Sequence, residues 1–296
     1  MIEVSSDFVG YKLNDYEIGL SWRDTMNYAA AVNDNNPWYL DDERQSGIIA
    51  PPMYSTALTW PILKDIRQNI PEGMLPSDAL MRLVHHIEAI EFHQPIKPGS
   101  RLKIGGKVAA VIPHRSGTLV VFRLDAFNSE MERVFTEHIG ALLRGVPCKD
   151  KGRGQDALPK HPSWSGENRI LWETKVGIHQ LQTYIYDGCT GIHFPIHTSR
   201  RFARGVGLPG IILQGTATMA FALKEIINRE ADGNPSCLKS TYCKFTSPVK
   251  PGTNITIQLK GRKKQGMLVH LFFEVLNDEG KRAIKNGYAC LHDNIT

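Results

Sequence analysis

The feature that most constrains this chain is that it is written twice. Residues 92–100 read FHQPIKPGS and residues 245–253 read FTSPVKPGT, five identities and two conservative exchanges in nine positions. The segments ahead of them match in the same order. YAAAVNDNNP from Tyr28 aligns with YDGCTGIHFP from Tyr186, and GII at Gly47 aligns with GII at Gly210. Matching segments in a fixed order mark a duplicated unit. The 296 residues divide into two units of about 150, an ordinary domain size.

Each copy follows one plan. Residues 216–230, TATMAFALKEIINRE, place Met219, Ala220, Leu223, Ile226 and Ile227 on one face at i, i+3, i+4 spacing, which predicts a helix. Residues 53–69 are its counterpart, interrupted by Pro61. After KPGT come three alternating apolar runs separated by GRKKQG and NDEGK, which predict an antiparallel meander. The first copy repeats it after KPGS, with turns near PHRSG and FNSEMER. Residues 146–168 are rich in Gly, Pro and charge and read as a linker. The expected organisation is an α+β chain with an N-terminal half at 1–145 and a C-terminal half at 169–296, each sheet wrapping a helix. Open sheet edges need covering, so the halves should join edge to edge into one continuous sheet about a pseudo-two-fold axis.

Composition narrows the function classes. A net charge of +5, scattered in sign, offers no basic stripe for nucleic acid but a mild attraction for a small anion such as a phosphorylated cofactor. The five cysteines form no C-x-x-C pair, so neither a disulfide framework nor a metal cage is signalled. The N-terminal residues lack the basic and apolar regions of a signal peptide, and no apolar run approaches the roughly 18 residues of a membrane span. A cytoplasmic protein with no membrane partner is expected.

The order of motifs is an aromatic residue, a small-Gly-Asp-x-Asn-Pro-x-His loop, a His-Gly helix start, and an F-x-x-P-x-x-P-G strand start. It resembles the MaoC-like (R)-specific enoyl-CoA hydratases and hydroxyacyl-thioester dehydratases, over nearly the whole chain. The resemblance implies a double hot dog fold. It also implies a hydro-lyase acting on 2-enoyl and 3-hydroxyacyl thioesters, with CoA or acyl carrier protein as the substrate's carrier and no cofactor. In that family the loop Asp and His hold a water and act as acid and base, while a backbone N–H at the central helix start polarises the thioester carbonyl.

Carried over position by position, the resemblance is incomplete. In the first half Asp34 and Asn36 match, Tyr39 stands where the His belongs, and Pro52 falls at the helix-start glycine, where it supplies no N–H. That half reads as a scaffold or a wall for the acyl or CoA group. In the second half Gly191, Pro195, His197 and Gly215 match. Ile192 replaces the Asp, Phe194 the Asn, and Gln214 the usual His. The resemblance therefore makes His197 the acid and base and the Gly215 N–H the oxyanion donor. Tyr186, Ile192, Phe194 and Gln214 would line the substrate, with Asp34 and Tyr39 from the other half.

Other readings stand beside these. Asp34 is also a good turn former. His193, beside the altered acid position, is a stand-in for the acid that an extended loop would point to the other face. Asp187 would lend a carboxylate only if the loop is rearranged. Arg200, Arg201 and Arg204 read as a solvated helix face or as contacts for CoA phosphates. His85 and His86 sit in a strand-like run with no ligand spacing. Two rivals to the hydro-lyase remain: a hot dog protein that binds acyl-CoA or a partner subunit without catalysis, and a hot dog enzyme of different chemistry. A homo-oligomer, such as a dimer of pseudo-dimers, or a hetero-complex is expected.

Overall fold

Both copies of the nine-residue motif end one strand and open the meander that follows. A computed structural model describes residues 2–71, 73–167 and 169–293. The first half supplies β1 (Lys12–Gly19), β2 (Leu83–Phe92), β3 (Arg101–His114), β4 (Gly117–Phe127) and β5 (Arg133–Arg144). The second supplies β6 (Trp172–Gly177), β7 (Leu238–Phe245), β8 (Asn254–Gln265), β9 (Leu268–Leu276) and β10 (Arg282–His292). Together they form a ten-stranded sheet in the order β1-β3-β4-β5-β2-β7-β10-β9-β8-β6. Each half of that order repeats the other in reverse, and β2 and β7 join the halves antiparallel. Ala89 pairs with Tyr242 in this seam. The offset that carries Phe92 to Phe245 also carries Ala89 to Tyr242, so the pseudo-two-fold axis passes through that pair. This is the α+β layout expected from the repeat and the double hot dog fold that the resemblance implies.

The helices are α1 (Trp22–Ala31), α2 (Pro37–Leu40), α3 (Ser55–Lys64), α4 (Ile66–Asn69), α5 (Ser77–Leu80), α6 (Gln182–Thr190), α7 (Arg200–Gly205) and α8 (Gly215–Glu230). On α8 the expected face, Met219, Ala220, Leu223, Ile226 and Ile227, is buried in the main core. Each large aliphatic there contributes about 1.5–3 kcal/mol of burial. The counterpart at 53–69 is split. A 3-10 turn, Pro52–Tyr54, leads into α3, which carries Pro61 inside it and stops at Lys64, and α4 follows.

Two sequence expectations shift. GRKKQG is not a loop: β8 runs to Gln265 and β9 starts at Leu268, so only Gly266 and Met267 turn, with Gly266 at φ +59. A two-residue hairpin favours glycine at such a position. The stretch 146–168 lies across the outer sheet face. His161 stacks on Tyr242 at 3.6 Å, and Trp164 packs on Phe272 and over Gly261, where a Cβ would sit 2.4 Å from its ring. Asn168, at the end of that stretch, and Met1 and residues 294–296, at the ends of the two halves, lie outside the described residues.

Candidate active site

The two halves of the repeat meet first through α1 and α6. The equivalent tyrosines Tyr28 and Tyr186 are fully buried and share a hydrogen bond of 2.8 Å between hydroxyls. Tyr186 also donates to Thr216 in the first turn of α8, at 3.0 Å. It thus anchors the helix start rather than lining an open cleft. Each helix ends on a left-handed residue at the equivalent place, Asn33 at φ +50 and Gly191 at φ +70. Such a residue lets the chain leave the helix and turn into the loop.

The first-half loop is a packed joint. Asn36 caps α2 by accepting from the Trp38 N–H, and its side-chain amide donates to the Gly233 carbonyl beyond α8 at 2.7 Å. Asp34 is buried and accepts from the Asn36 N–H, the turn role open to it from sequence. Burial raises its pKa. Tyr39 is buried against Ala29 and Ile49. The structure therefore corrects the expectation that Asp34 and Tyr39 form a substrate wall: neither side chain is open to a ligand.

In the second half, His197 ends a 3-10 turn, Pro195–His197, and its Nδ1 lies 2.8 Å from the Ile212 carbonyl. A carbonyl only accepts, so Nδ1 carries the hydrogen and Nε2 is left as an acceptor. Burial pushes the ring's pKa down to about 4, so it is neutral at physiological pH. Three residues after Ile212, Gly215 opens the 16-residue α8 with no side-chain cap. The first N–H groups of a helix have no intrahelical acceptor, and the dipole makes them electropositive. Phe245 lies over this start, three ring carbons at 3.2 Å from where a Gly215 Cβ would be.

The remaining candidates take different places. Gln214 is buried and donates to the Thr183 carbonyl at 3.1 Å, while its Oε1 has no partner. Ile192 packs into the main core, and Phe194, 38% exposed, packs edge-on against Phe202 instead of plugging a cleft. His193 is exposed and turns its Nδ1 onto the Gly191 carbonyl at 2.8 Å. Asp187 Oδ1 is buried without a partner, and burial raises that carboxyl's pKa. Arg200, Arg201 and Arg204 are exposed on α7.

One constellation had no signal in the sequence spacing. A β-bulge between His85 and Ile87 shifts the phase of β2. His85 pairs with Ala141 and Glu88 with Ile139, and both partners belong to the helix-facing core. Residues three apart, which a regular strand would place on opposite faces, thus share one face. His85 Nε2 lies 3.0 Å from the Ile87 carbonyl and 3.2 Å from Glu88 Oε2. Beside Glu88 is Glu137, which accepts from Thr59 at 3.0 Å; both carboxyls are fully buried. Burial raises both pKa values, Glu88 to about 8. The His85 ring stands edge-on to Phe245 at 4.8 Å, and its proximity helps lower the His197 pKa.

The pseudo-two-fold equivalent of this place is a cleft lined by Pro52, Phe92, Ile96, Pro235, Leu238 and Lys239. There Pro52 stands for Gly215, Phe92 for Phe245, and Leu238 for His85. His93, Gln94 and Ser236 also line that cleft, but among the described residues the glycine helix start and the His85–Glu88 pair are found only on the other side of the axis.

Residues 167–271 match the MaoC like domain, and residues 7–137 match the dehydratase domain region of the FAS1-like family. The MaoC like match thus lies in the C-terminal half of the double hot dog. The chain is similar to peroxisomal multifunctional enzyme type 2 of Drosophila melanogaster, 24% identical over 213 residues, 71% of this chain and 34% of that protein. It is also similar to 3-hydroxyacyl-thioester dehydratase Y of Mycobacterium tuberculosis, 27% identical over 179 residues, 59% of this chain and 60% of that one. It spans less than two thirds of either relative. The crystal structure of a MaoC-like dehydratase from Phytophthora capsici shares its fold, with a TM-score of 0.81, 18% identity and coverage of 97% and 98% of the two chains. Among the described residues no helix is long and apolar enough to cross a membrane, and no group of three His, Cys, Asp or Glu is placed to hold a metal ion.

Proposed function

We propose that this protein is a hydro-lyase that adds or removes water across a 2-enoyl/3-hydroxyacyl thioester, at a site in its C-terminal half. The observation that carries the reading is the His197–Ile212 hydrogen bond, which ties a neutral, correctly tautomerised imidazole to a residue three positions before an uncapped helix start. The thioester carbonyl accepts from the Gly215 N–H, where enolate charge develops. His197 Nε2 takes a proton from water as the water oxygen bonds to C3, and the electron pair moves to the carbonyl oxygen. The imidazolium then returns that proton to C2 as the enolate collapses, so the ring ends neutral.

The thioester carrier, CoA or acyl carrier protein, is part of the substrate, and the reaction calls for no cofactor. Arg200, Arg201 and Arg204 lie exposed just past the His197 loop and suit its phosphates. We place the protein in the cytoplasm, because its cysteine spacing signals no disulfide framework, as suits a reducing compartment. For assembly we propose a homo-oligomer, a dimer of pseudo-dimers, or a hetero-complex, since β1 and β6 each pair on one side only.

One observation favours a second reading, acyl-thioester binding without hydration: an apolar, core-packed Ile192 stands where the resemblance calls for the acid. A panel of 2-enoyl thioesters of varied length and branching, followed by loss of enoyl absorbance, separates the two. Saturable turnover supports the hydro-lyase; tight binding with no turnover across the panel supports the binding protein.

A further inference from the structure

The site as described has one histidine and no loop carboxylate. Across the seam, however, His85 of the first half projects from β2 toward the same helix start. It is held by the Ile87 carbonyl at 3.0 Å, with Glu88 Oε2 at 3.2 Å, and 29% of its side chain remains accessible. The bond to a carbonyl puts the hydrogen on Nε2, so Nδ1 is free to accept a proton. The hydrogen on Nε2 serves Ile87, and the buried Glu88 carboxyl lies beside the buried carboxyl of Glu137. Burying two carboxyls together is unfavourable, and uncharged residues would fill the space more stably. The symmetry-related half does so: Leu238, Thr241 and Gly287 occupy the positions of His85, Glu88 and Glu137. The fold therefore does not require the polar set, and it occurs only on the side that has Gly215 and His197.

We propose that His85 is a second proton-transfer residue of the C-terminal site. The proposal rests on the hydro-lyase reading above. Water held between His197 and His85 donates one hydrogen to each ring nitrogen. As its oxygen bonds to C3, one proton passes to His85 Nδ1, which takes it in place of His197 Nε2. The same proton returns to C2 when the enolate at Gly215 collapses, so atoms and charge balance with no other reactant. His197 then holds the water rather than acting alone, and the first half contributes a reacting group to a site that otherwise belongs to the second.

His85→Leu copies the side chain found at the equivalent position, so the fold has a precedent for it. With a 2-enoyl-CoA that the wild type hydrates, kcat should fall on the order of 10²-fold with KM nearly unchanged. Folded His85→Leu protein with wild-type kcat overturns the proposal and leaves the hydro-lyase reading intact. A wild type inactive on every thioester sinks that reading instead. The proposal then stands or falls on the His85 ring ¹⁵N resonances as 3-hydroxybutyryl-CoA is added: a shift at Nδ1 supports it, and a ring that does not respond overturns it.

Discussion

Glu88→Gln should make the protein more stable at neutral pH. Glu88 is fully buried, and burial lifts its pKa from 4.5 to about 8 in the fold. Below the unfolded value both states carry the proton, and the group is neutral with respect to stability. Between 4.5 and about 8 the unfolded chain releases the proton and the folded chain keeps it, so stability falls by about 1.4 kcal/mol for each pH unit. At pH 7 that amounts to about 3 kcal/mol, and it grows further until the folded group itself ionises. Glutamine has nearly the same shape and does not titrate. Allowing about 1 kcal/mol for a poorer hydrogen-bond arrangement among Glu137, His85 and Thr59, the net gain at pH 7 is about 2 kcal/mol. Urea unfolding of wild type and variant at several pH values between about 4 and 8 reads this directly. The stability difference should open steadily with pH. A difference that stays flat, or a variant less stable than wild type at pH 8, would refute the reasoning.

His197→Ala should lower turnover on the order of 10²-fold or more, the range for a positioned acid–base group, with thioester binding retained. Tyr39→Ala should act on stability instead, removing a ring that is 1% exposed and costing about 3–5 kcal/mol in chemical denaturation, with kcat of the folded fraction near wild type. The double change Ile192→Asp with Phe194→Asn should raise hydration of simple 2-enoyl-CoA substrates by restoring a carboxylate near His197. Phe194 is 38% exposed and cheap to replace, but Ile192 sits in the core, so the melting temperature should drop as about 1.5–3 kcal/mol of burial is lost. A folded double mutant with no gain in activity would show that the frame lacks more than one carboxylate.

The duplication was legible because the Lys-Pro-Gly turn at each strand junction tolerates few residues, so both copies kept it. α8 was legible because its apolar face keeps a helical period over four turns. The charges of Arg262, Lys263 and Lys264 read as a turn, yet they ride on the end of β8 within a regular hairpin, where Arg262 pairs with Glu230 and Lys264 with Asp293. The His85–Glu88 pairing was hidden for a physical reason: a bulge inserts one residue, and nothing in the alternation of LVHHIEAIEF marks where the phase changes. Ile192 and Tyr39 illustrate a third limit. Alignment gives their motif positions but not the packing across the seam that buries them.

The central claim is that the thioester reacts at the start of α8 and not at its symmetry mate. The measurement that tests it most directly is a crystal structure of the complex with a 3-hydroxyacyl-CoA. The account predicts the thioester oxygen within hydrogen-bond distance of the Gly215 N–H, the 3-hydroxyl between His197 and His85, and Phe245 displaced from its place over the glycine. A thioester seated instead in the cleft of Pro52, Phe92 and Leu238 would contradict it.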